Sequence, residues 1–319
     1  MMYDIAALGE FLVDFVPYGV SEAGEELLEA NPGGAPCNVL SMAAKLGLRT
    51  AFLGKVGNDH FGQMLKQAAV DCGVEVKSLR MDSKAHTTLA FVHLDEKGDR
   101  DFSFYRDPGA DQLLKEEELD LEILTHCRVF HFGSISLTHN PVRNATKRAI
   151  ETAKAAGALI SFDPNLRPPL WSDLSFAKEM IEYGMSQCNI LKIAGEELEF
   201  ITGIQDALVA SEVVARQFSI PLVFITMGAK GSMYRYGELT GFQKTYTDVQ
   251  TIDTTGAGDA FCACVLSKVL QSDLEGLNRQ FLDEALDFAN AAASAVTTRR
   301  GALKAMPELS EIEALRFRR

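Results

Sequence analysis

The chain has 319 residues, 47% hydrophobic and 24% charged, a composition that excludes disordered and fibrous classes. Its 31 basic and 44 acidic side chains leave a formal net charge of −13, which argues against a nucleic-acid partner. No charge-free apolar run of 18 residues occurs and Met1-Met2-Tyr3-Asp4 lacks a basic leader, so a cytoplasmic protein without a membrane span is expected.

In chain order, residues 3–8 form an apolar run that reads as a buried strand. Residues 36–46 read as a helix with Pro36 in its first turn and Gly47 as its stop. Residues 50–56 are strand-like, and Phe61, Met64, Leu65, Ala68 and Cys72 recur at helical spacing before Gly73. Short apolar strands follow at 129–132, 159–162, 190–193 and 222–226, with helical segments between them. This alternation predicts a mostly parallel sheet covered on both faces, a single three-layer α/β/α domain spanning 1–319. Two regions break the rhythm, about 11–32 and 86–106, where strand-like runs at 12–17, 89–94 and 102–105 lack an intervening helix. They predict a small antiparallel β-sheet lid, with Glu96-Lys97-Gly98-Asp99 as a hairpin turn. The six cysteines are scattered, and Cys262-x-Cys264 lies on an apolar helical pattern, so buried thiols are expected rather than a metal site.

The strongest chemical signal is Asp253-Thr254-Thr255-Gly256-Ala257-Gly258-Asp259 ahead of the apolar helical run 260–270. Small residues let the backbone turn tightly and present N–H groups at a helix N-terminus, where partial positive charge suits a phosphate. A carboxylate at Asp259 would repel that anion unless it served to take a proton from an attacking hydroxyl. By spacing alone the run is equally a tight turn with Asp259 favouring the helix start. Asn165 and Arg167 follow an apolar strand, which places them at the carboxyl edge of the sheet, where such folds bind ligands. Arg167 is also placed to pair with Asp173 at the surface. His131 reads as a buried neutral side chain, and Arg299-Arg300 as a solvated basic pair.

Here the sequence resembles the PfkB carbohydrate kinase family, also called the ribokinase family. The run 253–259 with Ala260 and Phe261 matches the family's C-terminal signature. Pro32-Gly33-Gly34-Ala35-Pro36-Cys37-Asn38, and Gly54-Lys55-Val56-Gly57-Asn58-Asp59 with Phe61-Gly62, match its N-terminal one. The resemblance implies a ribokinase-like α/β/α fold with a β-sheet lid over a sugar, and ATP with Mg2+, and K+ in several members. It implies that Asp259 is the base and that the backbone of Gly256, Ala257 and Gly258 forms an anion hole. Asp14, Gly33, Gly34 and Asn38 correspond to sugar-binding positions, with Arg106 reaching in from the lid. Thr226, Gly228, Lys230, Gly231 and Asn290 fall at nucleotide positions, and Lys192 and Glu197 at phosphate- and magnesium-linked ones. Asp253 and Thr255 correspond to a monovalent-cation site. Ala194 departs from the family, which commonly has Asn or Ser there.

The run from Gly9 to Pro17, Phe104-Tyr105-Arg106-Asp107-Pro108-Gly109-Ala110-Asp111, and the segment 163–171 are similar to bacterial and plant fructokinases. Kinases of 2-keto-3-deoxygluconate or of a riboside share the remaining motifs, and a catalytically weakened binding protein of the same fold is the alternative outside enzymes. The expected partners are a small sugar and ATP, with a homodimer formed through the exposed lid edges.

Overall fold

The computed structural model describes residues 2–94, 100–272 and 274–318. In chain order the elements are β1 (Tyr3–Leu8), β2 (Leu12–Val20), β3 (Glu26–Gly33), α1 (Ala35–Lys45), β4 (Thr50–Gly57) and α2 (His60–Asp71). Then come β5 (Leu79–Asp82), β6 (Leu89–Leu94), β7 (Arg100–Tyr105), α3 (Leu121–Thr125), β8 (Cys127–Gly133), α4 (Val142–Ala155) and β9 (Leu159–Asp163). The C-terminal half holds α5 (Leu174–Gln187), β10 (Ile190–Ala194), α6 (Gly195–Thr202), α7 (Ala207–Phe218), β11 (Leu222–Thr226), β12 (Ser232–Tyr236) and β13 (Leu239–Gln243). Helices α8 (Ala257–Val269), α9 (Arg279–Val296) and α10 (Leu309–Arg316) complete it.

Nine strands form the central sheet in the order β13-β12-β11-β10-β9-β8-β1-β4-β5. The strands from β5 to β11 run parallel, and β12 and β13 add an antiparallel hairpin at one edge. Side chains alternate across each strand. In β11, Leu222 and Phe224 enter the core under α1, α8 and α9, while Val223 and Ile225 enter the core under α4, α5 and α7. Both faces are buried, which is why the parallel strands read as unbroken apolar runs. The β12–β13 hairpin escaped the sequence reading because Tyr234, Arg235 and Tyr236 break that apolar pattern; Gly237, at φ 56°, makes its turn.

A second sheet, in the order β3-β2-β6-β7, stands off the carboxyl end of the first as the lid. It is mixed rather than antiparallel. Both β2 and β6 leave the body in the same direction, so they pair in parallel, and each forms an antiparallel hairpin with β3 or β7. The turn expected at 96–99 lies outside the described residues. One crossing into the lid is pinned by Asp59, which caps α2 through Gly62 N–H (2.8 Å) and accepts from Thr87 N–H and its hydroxyl (both 2.8 Å). The next residue ties this crossing to its neighbour: Thr88 donates to Asp111 (2.5 Å), whose other oxygen takes Arg106 Nε (2.8 Å). The signature residues at 57–62 thus serve the hinge.

Candidate active site

Helix α8 begins at Gly256, whose φ of 81° is the left-handed geometry that glycine adopts without strain. A Cβ there would lie 2.9 Å from that of Ala302. The loop before it is braced by Asp253: Oδ1 accepts Thr255 N–H (2.8 Å) and the Thr255 hydroxyl (2.6 Å), and Oδ2 accepts Gly301 N–H (3.1 Å). The first turn of a helix has N–H groups without intrahelical partners and carries the positive end of the dipole. Here that turn forms the wall between two cavities, one of about 260 Å³ and one of about 410 Å³, whose linings share Thr254 and Gly258.

Asp259 faces the smaller cavity and is only 7% exposed. Its Oδ2 accepts from Asn38 Nδ2 of α1 at 2.8 Å. Burial lifts its pKa to about 6, with Asp163 adding to the rise and Asn38, Lys192 and Arg167 opposing it. Such a carboxyl is ionised at neutral pH yet basic enough to take a proton from an alcohol. Asn38 Oδ1 is buried without a hydrogen-bond partner, the kind of acceptor a substrate hydroxyl would satisfy. The lid closes this cavity with Leu12, Asp14 and Val16, every second residue of β2, together with Val92 and Phe104. Gly34 lines it at φ 126°, where a Cβ would meet the Glu10 carbonyl at 2.5 Å. Gly33 lies just outside; a Cβ there would strike the Asp14 carboxylate.

Asn165 and Arg167 reach the cavity from the end of β9, as expected. Asp173, the surface partner the sequence offered to Arg167, instead caps α5 through Phe176 N–H (2.8 Å). Lys192 lines the same cavity. Its Nζ lies 2.9 Å from Asp163 Oδ2, and a Cβ on Gly258 would sit 3.0 Å from that Nζ. Burial disfavours its charge, but Asp163 and Glu197 outweigh burial and hold it protonated. A fixed cation therefore stands beside the α8 N-terminus.

Arg106 departs from expectation. It is absent from the cavity lining, and its guanidinium is spent on Asp111 (2.7 Å), the Thr138 hydroxyl (3.2 Å) and the Ile135 carbonyl (3.4 Å). Both members of the Arg106–Asp111 pair are 3% exposed, so in this structure the arginine fastens the hinge. Two groups on the site went unrecognised in the sequence. Glu10 caps α1 through Ala35 N–H (3.0 Å), lines the cavity, and is pushed by burial to about 7. Asp163 is buried with Oδ1 unpartnered. An acid ending an apolar parallel strand was the available signal for it.

The larger cavity takes Thr226, Gly228, Gly231 and Asn290 as expected, along with Tyr246, Val249 and Ala293. Asn290 ties its walls, accepting from Ser232 (3.0 Å) and donating to the Gln243 carbonyl (3.3 Å). Lys230 is exposed and lies outside this lining. No group of three His, Cys, Asp or Glu among the described residues forms a metal cage. Mg2+ is usually held by one or two carboxylates plus phosphates, and buried Asp163 with its unpartnered oxygen fits that role. Glu197 spends Oε1 on Leu166 N–H (2.6 Å) and Oε2 on Ala194 N–H (2.9 Å), tying the ends of β9 and β10 together. That second bond runs through the backbone of residue 194, so alanine suffices there. Asp253 and Thr255 do not fit a cation cage through their side chains, since three acceptor positions of the carboxylate hold the loop itself.

Comparison with known proteins agrees with this geometry. The model of the pfkB family carbohydrate kinases matches residues 2–309. Fructokinase-1 of rice, Oryza sativa subsp. japonica, is 42% identical over 317 residues, covering 98% of this chain and 97% of its own. The fructokinase of Xylella fastidiosa with bound ATP superposes with a TM-score of 0.89 at 32% identity, over 99% and 98% of the two chains. The fructokinase of Vibrio cholerae, bound to fructose, ADP and calcium, gives 0.88 at 34%, over 98% and 99% of the two chains. With a buried carboxylate set in a glycine wall between two cavities, and a family match that runs nearly end to end, the chain belongs to the pfkB family of carbohydrate kinases.

Proposed function

We propose that this kinase moves the γ-phosphoryl group of ATP onto fructose. The observation that carries the reading is the placement of Asp259: it faces the smaller cavity from the first turn of α8, and Gly258 beside it lines both cavities. The sugar occupies the smaller cavity and the nucleotide the larger. A sugar hydroxyl loses its proton to Asp259 as its oxygen bonds to the γ-phosphorus, and the bond from that phosphorus to ADP breaks. The α8 N-terminus and Lys192 stabilise the charge on the transferring group, the dominant contribution in phosphoryl transfer. Asp163, buried with one oxygen unpartnered, would hold a bound Mg2+, which would supply positive charge against the phosphates.

The cavity's charge supports a neutral acceptor. Glu10, Asp14, Asp253 and Asp259 line it against Lys192 and Arg167, and Lys192 is already paired with Asp163. A keto-deoxy acid would bring another carboxylate into that field. The six unpaired cysteines suit a reducing cytoplasm. Release of ADP, measured over a panel of fructose, other hexoses, ribosides and 2-keto-3-deoxygluconate, tests the reading. Fructose is expected to give the highest kcat/KM, and a clear preference for a riboside or the acid would overturn it.

A further inference from the structure

The two arginines that read as one solvated pair part company in the structure. Arg299 pairs with Glu311 of α10. Arg300 turns to the lid: its Nη1 donates to the Pro17 carbonyl (3.1 Å), and its guanidinium carbon lies 5.4 Å from the centre of the Tyr18 ring. Both targets sit at an irregularity in β2, where the register against β3 passes from Pro17↔Leu28 to Gly19↔Leu27 and skips Tyr18. A bulge of this kind bends a strand and re-aims the extra side chain. The next residue, Gly301, lies against Asn31 of β3, where a Cβ would be 3.1 Å from Oδ1. Gly301 N–H also donates to Asp253, the brace of the phosphate loop. A single two-residue turn thus touches the lid on one side and the 253–259 loop on the other.

We propose that Arg300 is a positioning residue, a latch that holds the lid over the acceptor cavity and ties its position to the loop at the α8 N-terminus. Asp14, Val16 and Asn31, which wall the cavity from the lid, are carried by the two strands that the 300–301 turn holds. An acceptor that fills the cavity favours the latched lid, and the latch in turn slows acceptor release. The nucleotide cavity has no lid residue in its lining, so the latch acts on the acceptor.

The inference rests on reading the smaller cavity as the acceptor site, and the test uses whichever panel acceptor the unaltered enzyme turns over best. A best acceptor other than fructose would then revise the substrate while leaving this test intact. Arg300→Ala is expected to raise the acceptor KM about three- to tenfold, the scale of one exposed cation–π contact with one hydrogen bond. The KM for ATP at saturating acceptor should stay within about twofold, and the unfolding midpoint should hold. Arg300→Lys, which keeps the charge over the ring, should recover most of the loss. Tyr18→Leu reaches the latch from the lid side and should raise the acceptor KM in the parent but not in Arg300→Ala. An unchanged acceptor KM in both single variants overturns the latch. So does a parallel rise of both KM values with a lowered midpoint, which would mark Arg300 as a structural support only.

Discussion

At the scale of single residues, the proposed chemistry turns on a carboxylate kept in an unfavourable place. Desolvation lifts Asp259 from 3.8 to about 6, so its proton-accepting form is populated above that pH and lost below it. Turnover should therefore fall as pH drops through about 6, which a pH profile of kcat/KM measures. Replacing Asp259 with Asn keeps the shape and removes the base, and kcat should drop by about 10²–10⁴-fold. The same change should leave stability intact or improve it. A carboxyl whose folded pKa is raised favours folding when protonated and costs stability as pH rises from its unfolded value to its folded one; above about 6 the parent carries that full cost, on the order of 1–3 kcal/mol, and Asn does not. Thermal unfolding at pH 7.5 checks this, and a large loss of stability would make Asp259 a structural cap. The heptad 253–259 stood out because the whole run matches the family's C-terminal signature; its spacing alone fits a tight turn equally well. Glu10 and Asp163 were not legible, because their roles depend on burial and on partners 25 and 29 residues away, respectively.

At the scale of elements, the hinge shows where a motif misleads. Arg106 follows a lid strand, so its sequence position points toward the sugar. The fold instead closes the salt bridge to Asp111 under it, and Asp111 also holds Thr88 of the neighbouring crossing. Removing one partner of a buried pair leaves the other charge uncompensated. Arg106→Ala should cost roughly 3 kcal/mol or more and lower the unfolding midpoint by several degrees. An unchanged midpoint together with a raised sugar KM would return Arg106 to the sugar site. The inner parallel strands were readable because they are apolar on both faces, whereas the edge strand β5, with Arg80 and Asp82, was not. The β12–β13 hairpin was not, since its strands have one face on α9 and carry tyrosine, arginine and threonine among their apolar residues.

At the scale of the whole molecule, a broad sheet supplies a rigid floor, and the lid is the part with apolar surface to spare. Val20, Leu27, Leu28 and Tyr105 are all exposed on it, and the expected homodimer would cover part of that surface. Sedimentation velocity at micromolar concentration should then give twice the mass of one chain, and Leu27→Glu should shift it to a single chain. A monomer in the parent protein would leave this surface to some other contact.

The thinness of the partition between the cavities has a bearing on how such an enzyme can change. Walls on the acceptor side come from the lid, α1 and the end of β9, and those on the donor side from the turn after β11, the segment 245–251 and α9; among the described residues only Thr254 and Gly258 belong to both. Acceptor preference can drift through positions such as Leu12, Val16, Val92 and Phe104 without disturbing how the donor is held. Gly258 has less latitude, because a methyl group there would stand 3.0 Å from Lys192 Nζ. Descendants of this scaffold would be free to exchange their sugars far more readily than the seam across which the phosphate travels.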